Sequence, residues 1–510
     1  MKAPVRREEK LFSLNRAELF RIVAVMAPAA FLRFYRIGQQ SYWADEVQSI
    51  WQVNGHAGTI FNNIITNFHG PLHFTLLLGW GELGGWSEAW TRSLSALAGL
   101  ACIWLFYLLA RKIAGRTAAI WAIILMAVSP FHVWYSQEVR NYVFLHLFVI
   151  LSMLLFLRIL EREDSETISF RRRTGEWAVF LAASAAALLC NLAALFLFAV
   201  QGIFTLIIKP KLALKLSVLL AVLFLILLPW IAGIELGWNL EHIMHGDPLR
   251  KINFHPLGVP YTYLVFSLGE TFAPSSDQMH RALSFGMFKP FLPYLALAFV
   301  TYSILLFQGL RAWARERNRL ILFSLWLVVP LVFVSILAIL NLKVFQPRYA
   351  SVSFPAYLIV IAAGMARSGR KLRWLLAASI ALLTLVSLHN HYTDPRYWKP
   401  DVRAAVRPVN SRSRPGDVLL IYTIQEPVRF YYNGPAEIRS VYPLPGTGGF
   451  DEKVSELRES FDRIWLVDNY GWYIDPEDRI PEGYREEFML DKKYSYNKVR
   501  VWLFRMGAEQ

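Results

Sequence analysis

Apolar runs close to the ~20 residues an α-helix needs to cross a bilayer recur along this chain, and they limit what it can fold into more than any motif does. Eleven are legible, at about 17–37, 90–110, 117–132, 139–158, 177–190, 193–208, 213–232, 291–309, 319–340, 349–366 and 373–389. With 55% hydrophobic residues and a mean hydropathy of +0.34, the chain reads as a polytopic α-helical membrane protein. The first run follows a charged leader, Lys2 to Lys10, that resembles a secretory signal. It keeps Arg21, Arg33 and Arg36 and has many spans after it, so it is read as retained.

Basic residues cluster after alternate runs: Arg111, Lys112 and Arg116; Arg158, Arg162 and Arg171 to Arg173; Lys209, Lys211 and Lys215; Arg311, Arg315, Arg317 and Arg319; Arg367, Arg370, Lys371 and Arg373. The positive-inside rule makes that side cytoplasmic. The expected location is therefore a bacterial or archaeal plasma or inner membrane, crossed many times, with the N-terminus inside. Three segments then lie on the extracytoplasmic face: a loop at about 38–89, a second at about 233–290, and everything after His389. The apolar piece Pro71 to Leu83 is too short to span, and its proline suits a first helical turn, so a surface helix is expected there.

Two domains follow from this division, a membrane part over 1–389 and a soluble part over 390–510. The tail is richer in Pro, Gly and charge, with β-like runs at Asp417–Tyr422, Arg463–Asp468 and Lys498–Phe504 and a helical stretch at Lys453–Phe461. A small α/β domain on the outer face is expected, serving as a lid or docking surface. Residues 389–510 hold 18 Lys+Arg against 19 Asp+Glu, so the net charge of +15 belongs to the membrane part. That placement disfavours nucleic acid as a partner. Cys102 and Cys190 both fall in apolar runs, where a thiol packs as a small filler, and no disulfide framework is implied. None of the eleven runs carries Asp or Glu in its central portion. Ion-coupled transporters need such groups near the midplane, so chemistry at the headgroup level is favoured over proton-coupled transport.

Four clusters sit on the expected outer face. Asp45-Glu46, flanked by Tyr42 and Trp43, offers a carboxylate that partial desolvation can tune as a general base. The plainer reading is a solvated pair capping a helix. His69 and His73 share a helical spacing that suits a divalent metal, with Glu46 as a further ligand, although two histidines do not make a site. Ser129 to Tyr142 packs Gln137, Glu138, Arg140, Asn141 and Tyr142 into a short turn, where Glu138 and Arg140 either hold a sugar or phosphate or pair with each other. Gln346-Pro347-Arg348-Tyr349 offers an arginine for a phosphate, or an interfacial anchor.

As a set, these clusters resemble the GT-C glycosyltransferases of the protein mannosyltransferase and aminoarabinose transferase type. The resemblance covers about 17–389 and rests on Asp45-Glu46, Pro71-Leu72, the Ser129 to Tyr142 turn and Pro347-Arg348-Tyr349; Tyr431-Tyr432-Asn433-Gly434 in the tail is similar to bacterial relatives. It implies a GT-C-like membrane fold and transfer of a hexosyl or pentosyl unit from a polyprenyl-phosphate sugar donor to an acceptor protein, lipid or glycan, usually with inversion. It further implies Asp45 as base, with Glu46 and Glu138 orienting the acceptor and sugar. His69, Gln137, Arg140, Tyr142, Arg348 and Tyr349 would serve the donor phosphate and sugar. One departure stands out: His69-Gly70-Pro71 occupies a place where the family often has Pro-Pro or a basic residue before the surface-helix Leu. If a cation holds the donor phosphate there, His69 supplies it or binds a metal that does. The alternatives are a glycan ligase or polymerase leaning on Arg250, His255 or Arg281, and a lipid or polysaccharide transporter. Acceptor choice is expected in 233–290, around Trp238, His242, His245 and Tyr261 to Tyr263, and in the tail.

Overall fold

The computed structural model describes residues 14–506 apart from 56–59, 61–62, 64–69, 164–169, 238–253, 276–277, 279–284, 343–344, 472–474 and 476. Each of the eleven apolar runs falls on helix. The first, α1 (Arg16–Phe34), opens with a capping box in which Asn15 and Glu18 each satisfy the other's backbone N–H. Two short helices follow, α2 (Ala44–Trp51) and α3 (Pro71–Gly84), and then α4 (Glu88–Val128) and α5 (Pro130–Ser136). The bundle continues through α6 (Tyr142–Arg162), α7 (Phe170–Cys190), α8 (Ala194–Ile208) and α9 (Pro210–Gly237). After α10 (Gly258–Leu268) come α11 (Leu292–Ala312), α12 (Arg317–Ile339), a 3-10 turn at Pro347–Ser353, α13 (Phe354–Arg367) and α14 (Arg370–Thr393). Among the described residues, seven helical stretches are long and apolar enough to cross a membrane.

Two local features sharpen the expected boundaries. Residues 90–110 and 117–132 form two helices as expected, but they follow one another through α4 across a kink at Gly115 with φ of 83°, a conformation open to glycine at little cost, and the second ends at Val128, short of α5. The Ser129 to Tyr142 turn holds a helix of its own, α5, whose start is capped by the Ser129 hydroxyl accepting from the His132 N–H. Arg33, an arginine inside an apolar run, is buried as a clasp at the end of α4: it donates to the carbonyls of Ala127 and Met126 and lies 2.7 Å from His132 Nδ1. A cation on the last carbonyls of a helix is favoured by the helix dipole.

Small residues let α11 and α13 cross closely. A Cβ at Gly309 of α11 would lie 2.1 Å from the Val360 carbonyl oxygen, and one at Gly364 of α13 would lie 2.2 Å from that of Leu305. Backbone approach of this kind holds membrane helices together where apolar burial cannot. Gly364→Ala is expected to destabilise the protein by about 1–3 kcal/mol, read as a lower thermal midpoint in detergent. Gly369→Ala, which meets nothing within 4 Å, is expected to leave the midpoint in place.

The tail forms a five-stranded sheet of order β2-β1-β3-β5-β4: β1 (Asp417–Thr423), β2 (Glu437–Ser440), β3 (Arg463–Asn469), β4 (Met489–Tyr496) and β5 (Val499–Arg505). β2, β1 and β3 run parallel, while β5 and β4 are antiparallel additions. Alternate residues serve opposite faces. Val418, Leu420, Ile464 and Leu466 pack with α17 (Phe450–Ser460) and α18 (Arg479–Glu487), whereas Leu419, Ile421, Trp465 and Val467 pack with α15 (Val402–Arg412). All three expected strands and the expected helix are present. The sheet's other two strands were not foreseen, because β2 is four residues long and β4 carries charge at Asp491, Lys492 and Lys493. This domain docks on α2: Phe430 and Tyr431 of α16 (Glu426–Tyr431) join a cluster with Tyr42, Val47, Ile50 and Val139. The Tyr431 hydroxyl accepts from the Tyr42 N–H at 2.8 Å and donates to Glu88 at 2.7 Å.

Candidate active site

The site begins at the first turn of α2, where carboxylates are favoured by the positive end of the helix dipole. Consecutive helical residues point about 100° apart, so Asp45 and Glu46 face different surroundings.

Glu46 faces inward and has no exposed surface. Arg92, near the start of α4, grips it with two parallel bonds, Nε to Oε1 at 2.8 Å and Nη2 to Oε2 at 2.7 Å. Lys399 adds a contact at 3.1 Å and the Val139 N–H another at 3.0 Å. Burial raises this carboxyl, but Arg92 and Lys399 outweigh it and hold the group down at about 2. Arg92 also donates to the carbonyls of Ile37, Gln40 and Ser41, so the pair pins the α1–α2 connection to the bundle. Glu46 was expected to orient substrate; enclosed in this way, it orients α2 instead.

Asp45 faces outward and stays a quarter exposed (25%). Its Oδ2 lies 3.5 Å from Arg348 Nη1 and 3.7 Å from Arg140 Nη2. Arg140 is fastened to the turn of α2 itself, donating to the Asp45 carbonyl at 3.1 Å and to the Ser49 hydroxyl at 3.3 Å. Arg348 lies over the rings of Tyr142 and Tyr349, at 5.8 and 5.4 Å, which leaves its Nε buried without a partner. Three of the four clusters picked out along the chain therefore meet at one carboxylate, though they are separated by as many as 303 residues.

Two more acids share this ground. Glu138 is buried, and Lys399 bonds it at 3.1 Å, the same lysine that touches Glu46. Burial raises the Glu138 carboxyl, with Lys399 pulling it down and Glu46 pushing it up. Glu270, in the segment after α10, is exposed within this region and accepts from the Tyr135 hydroxyl at 3.4 Å. The protein packed around it raises its carboxyl above the usual range, while Arg348 draws it back. Asp45, Glu46, Glu138 and Glu270 are matched in number by Arg92, Arg140, Arg348 and Lys399.

The other expected residues fall in varied places. Gln137 spends its amide on the carbonyls of Leu32, Arg33 and Tyr35, and its oxygen lies 2.9 Å from His391 Nε2, so it fastens the end of α1. His73 is buried between Phe74 and Phe144 with Nε2 unpartnered, and burial together with Arg140 pushes its imidazole down to about 3. His69 lies outside the described residues, as do Arg250, Arg281, Trp238, His242 and His245. His255 is exposed and accepts from the Leu257 N–H. Among the described residues, no three His, Cys, Asp or Glu side chains are grouped to hold a metal ion. The departure at Gly70 has a steric cause, since a Cβ there would lie 1.9 Å from the Leu189 carbonyl oxygen. Any larger residue would lift the start of α3 off the end of α7.

Arg92, Lys399 and Glu270 were missed. Arg92 had a signal, as a charge at the edge of an apolar run. Lys399 had none, because its partner Glu46 lies 353 residues away.

Residues 68–232 match the family model of dolichyl-phosphate-mannose-protein mannosyltransferase. No curated protein sequence matches the chain at a significant level. Among solved structures, ArnT from Cupriavidus metallidurans in the apo state is similar with a TM-score of 0.61 at 15% identity, covering 96% of this chain and 98% of that one. The same protein bound to undecaprenyl phosphate is similar with a TM-score of 0.55 at 14% identity, over 96% and 98% of the two chains. The Archaeoglobus fulgidus oligosaccharyltransferase in complex with Zn and sulfate gives 0.55 at 12% identity, over 94% of this chain and 72% of that one. The likeness is one of fold: this is a membrane protein that shares the fold of these solved structures.

Proposed function

We propose that the protein is an integral membrane glycosyltransferase that moves a sugar from a polyprenyl-phosphate-linked donor to an acceptor hydroxyl on the extracytoplasmic face, with Asp45 as general base. The observation that carries this reading is the partly exposed Asp45 carboxylate set between Arg140 and Arg348, beside a second acid that is sealed off. The matched family model and the fold shared with a protein solved bound to undecaprenyl phosphate support it.

In this reaction the acceptor oxygen attacks the anomeric carbon and its proton passes to Asp45. The bond between that carbon and the phosphate oxygen breaks, and the electron pair leaves with polyprenyl phosphate. Negative charge grows on the phosphate as the bond breaks, and fixed guanidinium donors stabilise it in proportion. Arg348 has a free Nε–H for that purpose, and its planar fork matches phosphate oxygens. Glu138 and Glu270, with carboxyls raised above the usual range, suit hydrogen bonding to sugar hydroxyls.

Reconstitution with a labelled polyprenyl-phosphate sugar and a cell-envelope extract tests the reading. Label should move to an envelope acceptor with release of an equal amount of polyprenyl phosphate. Absence of transfer from every polyprenyl-phosphate sugar tried would overturn the proposal in favour of a transporter. Arg348→Met is expected to slow transfer by about 100-fold, with Arg348→Lys recovering only part because a point charge lacks the fork. Equal rates for wild type and Arg348→Met would remove the arginine from the phosphate site.

A further inference from the structure

At the end of the bundle opposite the candidate site, α4, α6, α8 and the start of α12 enclose a cavity of about 270 Å³. Helix rise fixes how far apart the two lie. Arg92, which grips Glu46, and Lys112, which lines the cavity, stand twenty residues apart on the stretch of α4 before Gly115. At 1.5 Å per residue that is about 30 Å, the thickness of a bilayer's hydrocarbon core. On α6, Tyr142 beneath Arg348 and Glu161 at the cavity are separated by nineteen residues. The cavity therefore belongs to the other membrane face, the one where the basic clusters gather.

Its lining has two parts. Ile113, Leu157, Leu160, Phe204, Ile208 and Leu322 form an apolar wall. Lys112, Lys209 and Arg319 come from three separate segments and meet there with one acid, Glu161. Lys112 pairs with Glu161, Lys209 donates to the Leu160 carbonyl at 2.8 Å, and Arg319 lies 2.8 Å from Glu316. Even with Glu316 counted, three cations face two acids. The Lys112 side chain is only 12% exposed, whereas that of its partner Glu161 is 64% exposed. Taking an ammonium out of water is costly, and an ion pair with a solvated carboxylate offsets little of that cost. An anion inside the cavity would offset more.

We propose that this cavity binds one anionic phospholipid of that leaflet, with its phosphate among Lys112, Lys209 and Arg319 and the first carbons of its chains against Leu157, Phe204 and Leu322. Basic pockets between membrane helices suit such headgroups, whereas a free phosphate would leave the apolar wall uncovered. A lipid seated there joins α4 and α6 to α8 and α12, so its binding stabilises the fold by linkage. The assignment is independent of the transfer chemistry proposed above.

The test titrates full-length protein in a neutral detergent with dioleoylphosphatidylglycerol, with dioleoylphosphatidylcholine and with inorganic phosphate, reading retained lipid by native mass spectrometry alongside the thermal midpoint. Phosphatidylglycerol should be retained and raise the midpoint, while the other two do neither. Arg319→Gln is expected to weaken retention about fivefold, the worth of one basic residue near an anionic lipid, and Lys209→Gln with Arg319→Gln about 25-fold. Arg319→Lys keeps the charge and should retain the lipid. Lys371→Gln, in another basic cluster of the same face but outside the cavity lining, should bind like wild type. The Arg319 side chain is 36% exposed, so its single variants should fold and decide the matter even if the double variant does not. Retention unchanged in Arg319→Gln overturns the proposal, and so does equal weakening in Lys371→Gln, which would mean diffuse attraction to the whole face. Equal retention of phosphatidylcholine, or stabilisation by inorganic phosphate alone, overturns the assignment to an anionic lipid.

Discussion

Asp45→Asn is expected to reduce transfer by about 10²–10⁴-fold, the range a positioned general base contributes, while expression and thermal midpoint hold. The carboxamide is nearly isosteric with the carboxylate and keeps an oxygen for Arg348 and Arg140. It cannot take a proton from the acceptor at neutral pH. Folding should be indifferent, because Asp45 is a quarter exposed and its guanidinium contacts are long, at 3.5 and 3.7 Å. The backbone of α2 is held by Glu46, whose bonds the substitution does not touch. The measurement is turnover at saturating donor against melting in detergent. Undiminished turnover would sink the base assignment, and a collapse in stability would make Asp45 a structural residue.

Arg92→Met has the opposite signature, a large loss of stability. It leaves Glu46 buried with a full charge and one remaining cation, Lys399. Removing one partner of a buried pair costs about 3–5 kcal/mol, most of it from stranding the other charge. Arg92→Met with Glu46→Gln is expected to recover much of that loss, since a neutral amide is cheaper to bury. If the single substitution melts like wild type, the pair does not anchor α2. Acid should imitate the substitution. The folded-state carboxyl of Glu46 titrates at about 2, below its ordinary value of 4.5. A depressed carboxyl contributes stability that is present in full above the unfolded pKa and is lost as pH falls through the folded one. The Glu46 contribution should therefore fade between pH 4.5 and 2 and be absent from the profile of the double variant.

Much of the architecture was open to inspection in the residues alone. Apolar length located the helices, because crossing a bilayer demands it of each segment separately. The strands at Asp417, Arg463 and Val499 were visible because their apolar runs are short and bounded. Short or charged strands such as β2 and β4 take their conformation from neighbours, which no local pattern records. The boundary near Gly115 was legible, but that the two helices meet there at a kink was not, since charge clusters mark loops and helix junctions alike.

The candidate site divides in the same way. Asp45, Glu138, Arg140 and Arg348 were identifiable as odd polar groups at apolar boundaries, where their presence has a cost that something must offset. Their chain positions fixed neither who faces whom nor which acid is open. That was decided by α2, whose helical rotation sends Asp45 toward Arg140 and Arg348 and Glu46 to Arg92. Docking of the C-terminal domain decided the rest by bringing Lys399 to acids hundreds of residues earlier. Class and helix positions follow from local apolarity, which each segment carries in itself. The pairing of charges follows from packing between distant segments, and only the tertiary structure holds that information.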